Sequence, residues 1–474
     1  MAMLFFHSFL SGIALVFFET TANTIFLMDL GVSYLPYVYI ISALIAVAVG
    51  YSYTMFEERL DIKMLLKMML GFVLLIVIFF SLLIQVNSSL ATSMALMVFK
   101  NIIWIFISME FGILIGMIFN IRQGKRLFGI LMSGEILAGI IGGLSVGFIL
   151  NFIDTQHLLV ISIITLILSM LLLIQIISKF HDRFEESIPK KQHEGSIISR
   201  QKIFSNNYYL IIFALSALAL LVFYFIDYIF YHSIEQKYSD PKELASFFGL
   251  FFALLNIVNL LSSLFVSGRV LSHFGILFGL IAMPLIAIVG SSSLLLISLA
   301  SLGIGFVVIV GLKLLNEVAD ISILNPTYTI LYQSIPIKYR RKVIALRESV
   351  IEPLAMGAAG LLLLGLSMME SLYPLYILII FFAIVWLLLS QMLKKHYTYA
   401  LEEMLLRREA LEEDIHLDSV AQNLFLEHLE SDDEMEVIYS LDSLIKMRYE
   451  DIDALVLKLL TPRQNQNPPF QSCF

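Results

Sequence analysis

Twelve long apolar runs restrict this chain of 474 residues to one kind of fold. A helix needs about 20 apolar residues to cross a hydrocarbon layer about 30 Å thick, and the runs have that length. A membrane barrel would show short alternating segments instead. Only 14% of the residues are charged and the mean hydropathy is +0.89, which is too apolar for a soluble globular protein. The sequence therefore predicts an all-α polytopic membrane protein with twelve transmembrane helices.

The apolar runs form two groups of six. We predict spans 1 to 6 at about residues 3–28, 35–56, 64–86, 91–119, 128–152 and 158–178. We predict spans 7 to 12 at about residues 207–232, 245–267, 274–291, 293–319, 343–367 and 372–393. A polar segment separates the groups. The expected domains are a first six-helix half at 1–178, a linker at 179–206 and a second six-helix half at 207–394.

Basic residues indicate how the chain is oriented. Nearly all the lysines and arginines between spans lie in the loops on the same side as the linker, and the other side has only Lys237 and Lys242. Because Lys and Arg are retained on the cytoplasmic side, we expect the linker and both termini to be cytoplasmic in a cell (inner) membrane.

The segment from residue 395 onward differs in character from the rest of the chain. It contains 17 acidic and 7 basic residues and has the periodicity of amphipathic helices. Residues 395–462 resemble one HEAT-type helical hairpin, and residues 463–474 are expected to be disordered. One hairpin cannot bury its own apolar face. We therefore expect it to pack on the transmembrane helices, to pair with another chain, or to represent the stump of a longer repeat array. The acidic tail is also a candidate site for a protein partner.

An internal repeat relates the two halves. Sliding the sequence by 217 residues places GKRLFGILMSGEILAGIIGGL, from Gly124, over RKVIALRESVIEPLAMGAAGL, from Arg341, with Glu135 on Glu352. Two parallel six-helix halves are typical of major-facilitator-type transporters. Small residues in both segments predict close packing at the seam between the halves: Gly134, Ala138, Gly142, Gly143, Ala355, Ala358, Ala359 and Gly360.

Polar side chains within the spans are candidates for a solute site. A charge at the bilayer centre costs roughly 2.5 to 3.5 kcal/mol on insertion scales, so these groups should face the interior. In this architecture spans 1, 4, 7 and 10 line the central cavity, and these spans contain Glu19, Asn23, Lys100, Asn101, Asp227, Lys313, Asn316 and Glu317. Two lysines facing one cavity suit an anionic solute. The alternative for Lys313 is an internal ion pair with Glu317, four residues later.

A second set of charges marks a candidate cytoplasmic gate or coupling site. Its members are Arg122, Lys125, Arg126, Glu135, Arg340, Arg341, Lys342, Arg347 and Glu352. Glu135 and Glu352 either form salt bridges with the basic loops that break as the halves rock, or bind a coupling proton at a raised pKa. The sequence leaves both interpretations open.

The segment LNPTYTILYQSIPIKYRRKVI, residues 324–344, adds a family resemblance. Pro326, Thr327 and Tyr332, followed by the basic residues Lys338, Arg340 and Lys342, resemble a signature of the plastid and intracellular-bacterial ATP/ADP translocase family. The resemblance implies a twelve-span transporter with nucleotides among its candidate solutes. Span 1 departs from the family pattern, because it offers Glu19 and no cation.

Several classes of protein find no support in the sequence. It has no phosphate-cradling GxxxxGK[ST], no HExxH and no cysteine cluster, and its one cysteine is Cys473. We therefore expect neither an enzyme nor an ATP-driven pump, no cofactor or metal, and no nucleic-acid partner. The sequence predicts a secondary transporter, with the lipid bilayer and a small anionic solute as partners. The alternative is a membrane scaffold or sensor that uses its helical tail to bind proteins.

Overall fold

A computed structural model gives the structure of the chain. It describes residues 1–57, 61–86, 89–119, 121–181, 203–265, 267–301, 303–367 and 371–406, with scattered positions between 425 and 444. Side chains at 51–57, 121–130, 264–274, 337–338, 367, 400 and 402–406 lie outside this description. Residues 1–333 and 337–397 form one compact unit, and the described residues from 398 onward belong to a second. The predicted linker and most of the predicted HEAT-like tail lie outside the described residues.

The described elements are helices. Spans 1 to 6 are Ala2–Asp29, Leu35–Glu57, Ile62–Val86, Leu90–Ile118, Ile121–Ile149 and Leu158–Lys179. Spans 7, 8, 9 and 12 are Asn207–Lys237, Pro241–Phe265, Ser267–Leu299 and Tyr373–Leu406. Eleven helices among the described residues are long and apolar enough to cross a membrane. The predicted all-α membrane fold is confirmed.

Spans 10 and 11 are each interrupted by one turn of π-helix. Span 10 consists of Gly305–Ala319, the π turn Asp320–Leu324 and Asn325–Gln333. Span 11 consists of Ile337–Leu346, the π turn Arg347–Ile351 and Glu352–Ser367. We call these the span 10 π turn and the span 11 π turn. Because a π-helix bonds residue i to residue i+5, each turn acts as a local change of helix register.

The structure corrects the predicted limits of spans 9 and 10. Span 9 continues to Leu299 instead of ending near 291, and span 10 lies at 305–333 instead of 293–319. The polar segment NPTYTILYQ, predicted as a loop, is helical, and several of its polar groups have partners within the protein. Thr327 is buried and its hydroxyl donates to the Ile323 carbonyl at 2.7 Å, and Tyr332 bonds to Arg347.

The predicted basic loops are also helical. Span 5 begins at Ile121, so Arg122, Lys125 and Arg126 lie in its first two turns. Ile337–Leu346 likewise contains Arg340, Arg341 and Lys342. The cationic residues therefore belong to the ends of spans 5 and 11 instead of preceding them.

The halves meet along two pairs of helices, span 5 with span 8 and span 2 with span 11. The small residues divide between this seam and the interior of the first half. A Cβ at Gly143 would collide with the Gly249 carbonyl of span 8, and a Cβ at Gly360 with the Pro36 carbonyl of span 2. Gly134, Ala138 and Gly142 instead face span 1. The prediction that all of them pack at the seam is therefore wrong for this last group, because successive positions on a helix face different neighbours.

Two faces of the molecule are named from the connections. The linker face is where span 6 ends and span 7 begins, and the opposite face is where residues 30–34 join spans 1 and 2. Span 1 packs against spans 4, 5 and 6, so most of its side chains are buried. This packing brings the polar groups of span 1 into the protein interior.

Candidate functional site

Lys313 lies at the centre of a buried ion-pair cluster in the second half. Its Nζ is 2.6 Å from Asp227 Oδ1 of span 7 and 2.9 Å from Glu317 Oε1 of its own helix, and its side chain is only 4% exposed. The ammonium also lies 4.1 Å from the centre of the Phe223 ring. Two carboxylates and an aromatic face compensate the desolvation of one lysine. The ion pair between Lys313 and Glu317, which the sequence offered as an alternative to a solute site, is therefore present. Asp227 is a second partner of Lys313.

Lys100 forms a looser cluster in the first half. Its Nζ donates to Asn23 Oδ1 at 3.1 Å and lies 3.4 Å from Glu19 Oε1, both on span 1. The side chains of Lys100 and Glu19 are 13% and 30% exposed. Lys100 therefore has one carboxylate partner and remains partly accessible, whereas Lys313 has two and is enclosed.

Tyrosines join the two clusters across the seam. The hydroxyl of Tyr231, on span 7, donates to Asn23 Oδ1 at 3.0 Å and lies 3.3 Å from Lys100 Nζ. The hydroxyl of Tyr39, on span 2, donates to Asp227 Oδ2 at 2.6 Å. Each half thus provides a tyrosine hydroxyl that contacts the lysine cluster of the other half. We call the joined network the central site.

Several buried polar atoms of these helices have no hydrogen-bond partner among the described residues. They are Asn23 Nδ2, Thr20 Oγ1, and both Nδ2 and Oδ1 of Asn316. Buried polar groups are normally hydrogen-bonded, so such atoms mark unused hydrogen-bonding capacity. Asn101 also makes no hydrogen bond or ion pair that the structure describes, so Asn101 and Asn316 are the predicted solute-site residues that do not join the network through described contacts.

Arg347, predicted as a gate residue, organises a second cluster near the linker face. Its Nε and Nη2 both donate to Glu352 Oε1, at 2.7 and 2.6 Å, and Nη1 donates to the Tyr332 hydroxyl at 2.7 Å. Nε also lies 3.0 Å from Ser216 Oγ of span 7, and the guanidinium stacks 4.4 Å from the Tyr328 ring. Arg347 thereby ties together spans 7, 10 and 11.

The two glutamates related by the repeat have different surroundings. Glu352 pairs with Arg347 of its own span, whereas Glu135 packs against Gly12 of span 1 and has no ion-pair partner within the described residues. The side chains of Arg122, Lys125 and Arg126 lie outside the described part. Arg340 donates to the Gln333 carbonyl at 3.0 Å, Arg341 is exposed and Lys342 is partly buried. Among the gate residues whose side chains are described, the structure brings Arg347 and Glu352 together.

A third polar cluster lies entirely within the first half. His7 of span 1 is fully buried, with Nε2 3.1 Å from Glu110 Oε2 of span 4 and Nδ1 3.1 Å from the Ser169 carbonyl of span 6. Ser11 and Ser169 share a further hydrogen bond of 2.7 Å. These contacts fix three helices of one half together and do not reach the seam.

The halves also contact each other at the opposite face. Glu235 Oε2, near the end of span 7, accepts a hydrogen bond from the Val32 amide at 3.2 Å. Lys242 Nζ pairs with Asp154 Oδ1 at 2.9 Å, and this hydrogen bond holds the pKa of Asp154 below its ordinary value. A carboxylate with a lowered pKa keeps its partner at any pH above that value and loses it only as the pH falls through it. These two contacts therefore join the halves at the opposite face.

Sequence reasoning missed the neutral and aromatic members of these clusters. Tyr39, Tyr231 and Ser216 lie in apolar runs where they resemble ordinary core or interfacial residues, and Tyr328 lies in the polar segment NPTYTILYQ. Only the tertiary arrangement shows that their hydroxyls and rings face charged groups. Within the described residues, no group of three or more His, Cys, Asp or Glu side chains is arranged to hold a metal ion.

Comparisons with known proteins agree with this architecture. The family model described as Major Facilitator Superfamily matches residues 111–352. The fold is similar to a bacterial homologue of the iron transporter ferroportin in an inward-facing state, at 14% identity and a TM-score of 0.57, covering 83% of this chain and 98% of that one.

Two further solved structures show the same likeness. The nucleoside transporter NupG has 13% identity and a TM-score of 0.57, covering 83% of this chain and 98% of that one. The xylose transporter XylE from E. coli, in an inward open conformation, has 14% identity and a TM-score of 0.56, covering 83% and 94%. At this identity the likeness concerns the fold alone. No curated protein matches the sequence.

Proposed function

The chain belongs to the Major Facilitator Superfamily, and from this premise we propose that it is a secondary transporter that carries a small anionic solute through the central site by alternating access. The linker face is then the cytoplasmic face of a cell membrane. Nucleotides are among the candidate solutes. The single observation that carries the proposal is that a lysine of each half, Lys100 and Lys313, belongs to a charged cluster that a tyrosine of the other half contacts across the seam.

Lys100 is the cation that a solute can engage first. Its one carboxylate partner, Glu19, is 3.4 Å away and 30% exposed, so an anionic group can displace it at low cost. Lys313 is held by two carboxylates and has a side chain only 4% exposed, so its charge is already compensated in this conformation. We infer that Lys313 fixes the positions of spans 7 and 10 until the solute rearranges them.

Hydrogen-bonding capacity complements the charge of Lys100. The amide Nδ2 of Asn23 is buried without a described partner, and Oδ1 of the same side chain accepts a hydrogen bond from Lys100. An oxyanion bound to Lys100 could accept a hydrogen bond from this amide, because both donors belong to the same cluster. This arrangement suits a carboxylate or phosphate group better than a cation, which would have no free carboxylate to bind without leaving a lysine unpaired.

Uptake into proteoliposomes tests the proposal. The solved structures of similar fold are described as a homologue of the iron transporter ferroportin, a nucleoside transporter and a xylose transporter. The panel should therefore contain cations, neutral sugars and nucleosides, and anionic nucleotides, sugar phosphates and carboxylates. We expect saturable, exchangeable uptake of at least one anion. A variant with both Lys100→Ala and Lys313→Ala should lose it, whereas Lys237→Ala, a lysine at the opposite face, should retain it. Uptake confined to neutral solutes or cations would contradict the anionic class.

A further inference from the structure

Both π turns are spanned by side-chain contacts of the same spacing. Across the span 11 π turn, Arg347 pairs with Glu352 at 2.6 Å, and the Glu352 amide donates to the Arg347 carbonyl. Across the span 10 π turn, Asn325 Nδ2 lies 3.4 Å from Asp320 Oδ2, and the Asn325 amide donates to the Asp320 carbonyl. In each case a residue and its fifth neighbour are linked by both backbone and side chain.

This spacing depends on the π geometry. In an α-helix of 3.6 residues per turn, residues five apart point about 140° away from each other, so their side chains do not meet. In a π turn the i to i+5 hydrogen bond brings them onto one face. The Arg347–Glu352 ion pair therefore stabilises the π turn, and relaxation of the turn to an α-helix would break the pair.

The internal repeat shows that the π turn with its ion pair is present in span 11 and is not present in the corresponding span 5. Span 5 corresponds to span 11 but is a continuous α-helix from Ile121 to Ile149. In the repeat, the position that corresponds to Arg347 is occupied by Ile130, so Glu135 has no arginine five residues before it. Span 5 therefore forms without a π turn in the same fold. In span 11 the π turn occurs together with the Arg347–Glu352 pair.

The span 11 π turn also lies where the halves touch. It packs against span 2 of the first half and span 7 of the second. A Cβ placed at Gly50 of span 2 would lie 3.6 Å from Ser349 Cβ in the turn. Through Tyr332 and Tyr328, Arg347 connects the turn to span 10, whose residues Lys313 and Glu317 belong to the central site. The turn is therefore in contact with both the seam and the helix that holds the solute-site lysine.

We propose that the span 11 π turn is a register switch of the transport cycle. The turn is present while the opposite face is closed, and it relaxes to an α-helix, with loss of the Arg347–Glu352 pair, when that face opens. Relaxation would rotate the two parts of span 11 relative to each other and so change the surface that meets span 2. This inference rests on the proposed function, because only an alternating carrier must exchange these two states.

Deletion of Val350 tests the switch. Val350 lies inside the turn and is exposed, and its removal leaves Arg347 four residues before the glutamate, a spacing at which the ion pair fits an α-helix. The deletion variant therefore keeps the charges and the flanking faces but has no extra residue for a π turn. Val350→Ala is the matched control, since it trims the same side chain and keeps the register.

The readout is a distance that does not depend on knowing the solute. Spin labels at Phe152→Cys in the first half and Ser239→Cys in the second, both at exposed positions of the opposite face, are introduced after Cys473→Ser removes the native thiol. We expect two distance populations in the parent protein. The short-distance population should become dominant in the Val350 deletion, because this variant keeps the ion pair and the flanking faces of the closed state and has no π turn to relax. The long-distance population should rise in Glu352→Gln, which loses the pair, and both populations should stay at the parental level in Val350→Ala.

The possible outcomes distinguish failure of the proposed switch from failure of the proposed function. A parental distribution in the Val350 deletion overturns the switch and leaves alternating access intact. If that variant does not fold, a parental distribution in Glu352→Gln overturns it instead, because this substitution removes the ion pair without changing the length of the chain. A single, unchanging distance in the parent, with any solute of the panel, would contradict alternating access and the switch together.

Discussion

The two lysines of the central site differ in what surrounds them, and their substitutions should differ accordingly. Lys313→Ala leaves Asp227 and Glu317 without their cation in an enclosed position. Removing one partner of a buried ion pair costs about 3 to 5 kcal/mol, so the melting temperature in detergent should fall steeply. Lys100→Ala leaves only the partly exposed Glu19 and should cost much less. Equal losses for both variants would show that the difference in enclosure has no energetic consequence.

Tyr231 provides a test of the connection between the halves. Tyr231→Phe removes the hydroxyl that contacts both Asn23 and Lys100 and keeps the ring. A hydrogen bond of this kind contributes about 1 kcal/mol, so solute binding should weaken roughly fivefold when measured by calorimetry or by KM for exchange. Tyr228→Phe, one turn earlier on the same helix, is the control and should bind like the parent. Similar losses in both variants would assign the effect to span 7 in general.

The charged residues of the central site were predictable from the sequence because a charge in an apolar run is costly and must face the interior. Their partners were not predictable in the same way. Nothing in the local sequence distinguishes Tyr231 from other tyrosines of span 7, and the pairing of Lys313 with Asp227 joins residues from different spans. Asn101 shows the opposite error, because it was predicted as a solute-site residue and makes no hydrogen bond or ion pair that the structure describes.

At the scale of helices, the seam between spans 5 and 8 depends on the absence of side chains at particular positions. A methyl group at Gly143 would collide with the Gly249 carbonyl, whereas one at Gly147 would make an ordinary contact of 3.6 Å with Ser246 Oγ. Gly143→Ala should therefore lower the melting temperature and favour the long-distance population between labels at 152 and 239, and Gly147→Ala should change neither. A tolerated Gly143→Ala would show that spans 5 and 8 do not require this close approach.

The sequence did not predict the π turns that interrupt spans 10 and 11. Apolar length predicts where a span exists, but span 10 contains the polar segment NPTYTILYQ, so a hydropathy criterion ends the span too early. The π turns depend on contacts such as Arg347 with Tyr332, which join different spans. The internal repeat predicted the correspondence of Glu135 and Glu352, yet it could not predict that Glu352 pairs with Arg347 across a π turn.

At the scale of the whole molecule, the fold follows from the count and length of the apolar runs and from the repeat, and both are properties of the sequence alone. The mechanism depends on how the halves meet. Contacts through Glu235 and Asp154 join the halves at the opposite face, while the central site keeps Glu19 partly exposed. A carrier in this state should bind solute from the linker face.

Solute exchange by proteoliposomes that contain the Lys100→Ala variant tests the central claim most directly. With an anion that the parent carries, we expect KM for exchange to rise at least about tenfold, which corresponds to roughly 1.4 kcal/mol of lost binding. Lys237→Ala should leave KM unchanged, and an unaltered melting temperature would show that the variant is folded. Parental KM and rate in Lys100→Ala would contradict the assignment of this lysine, and of the central site, to the solute.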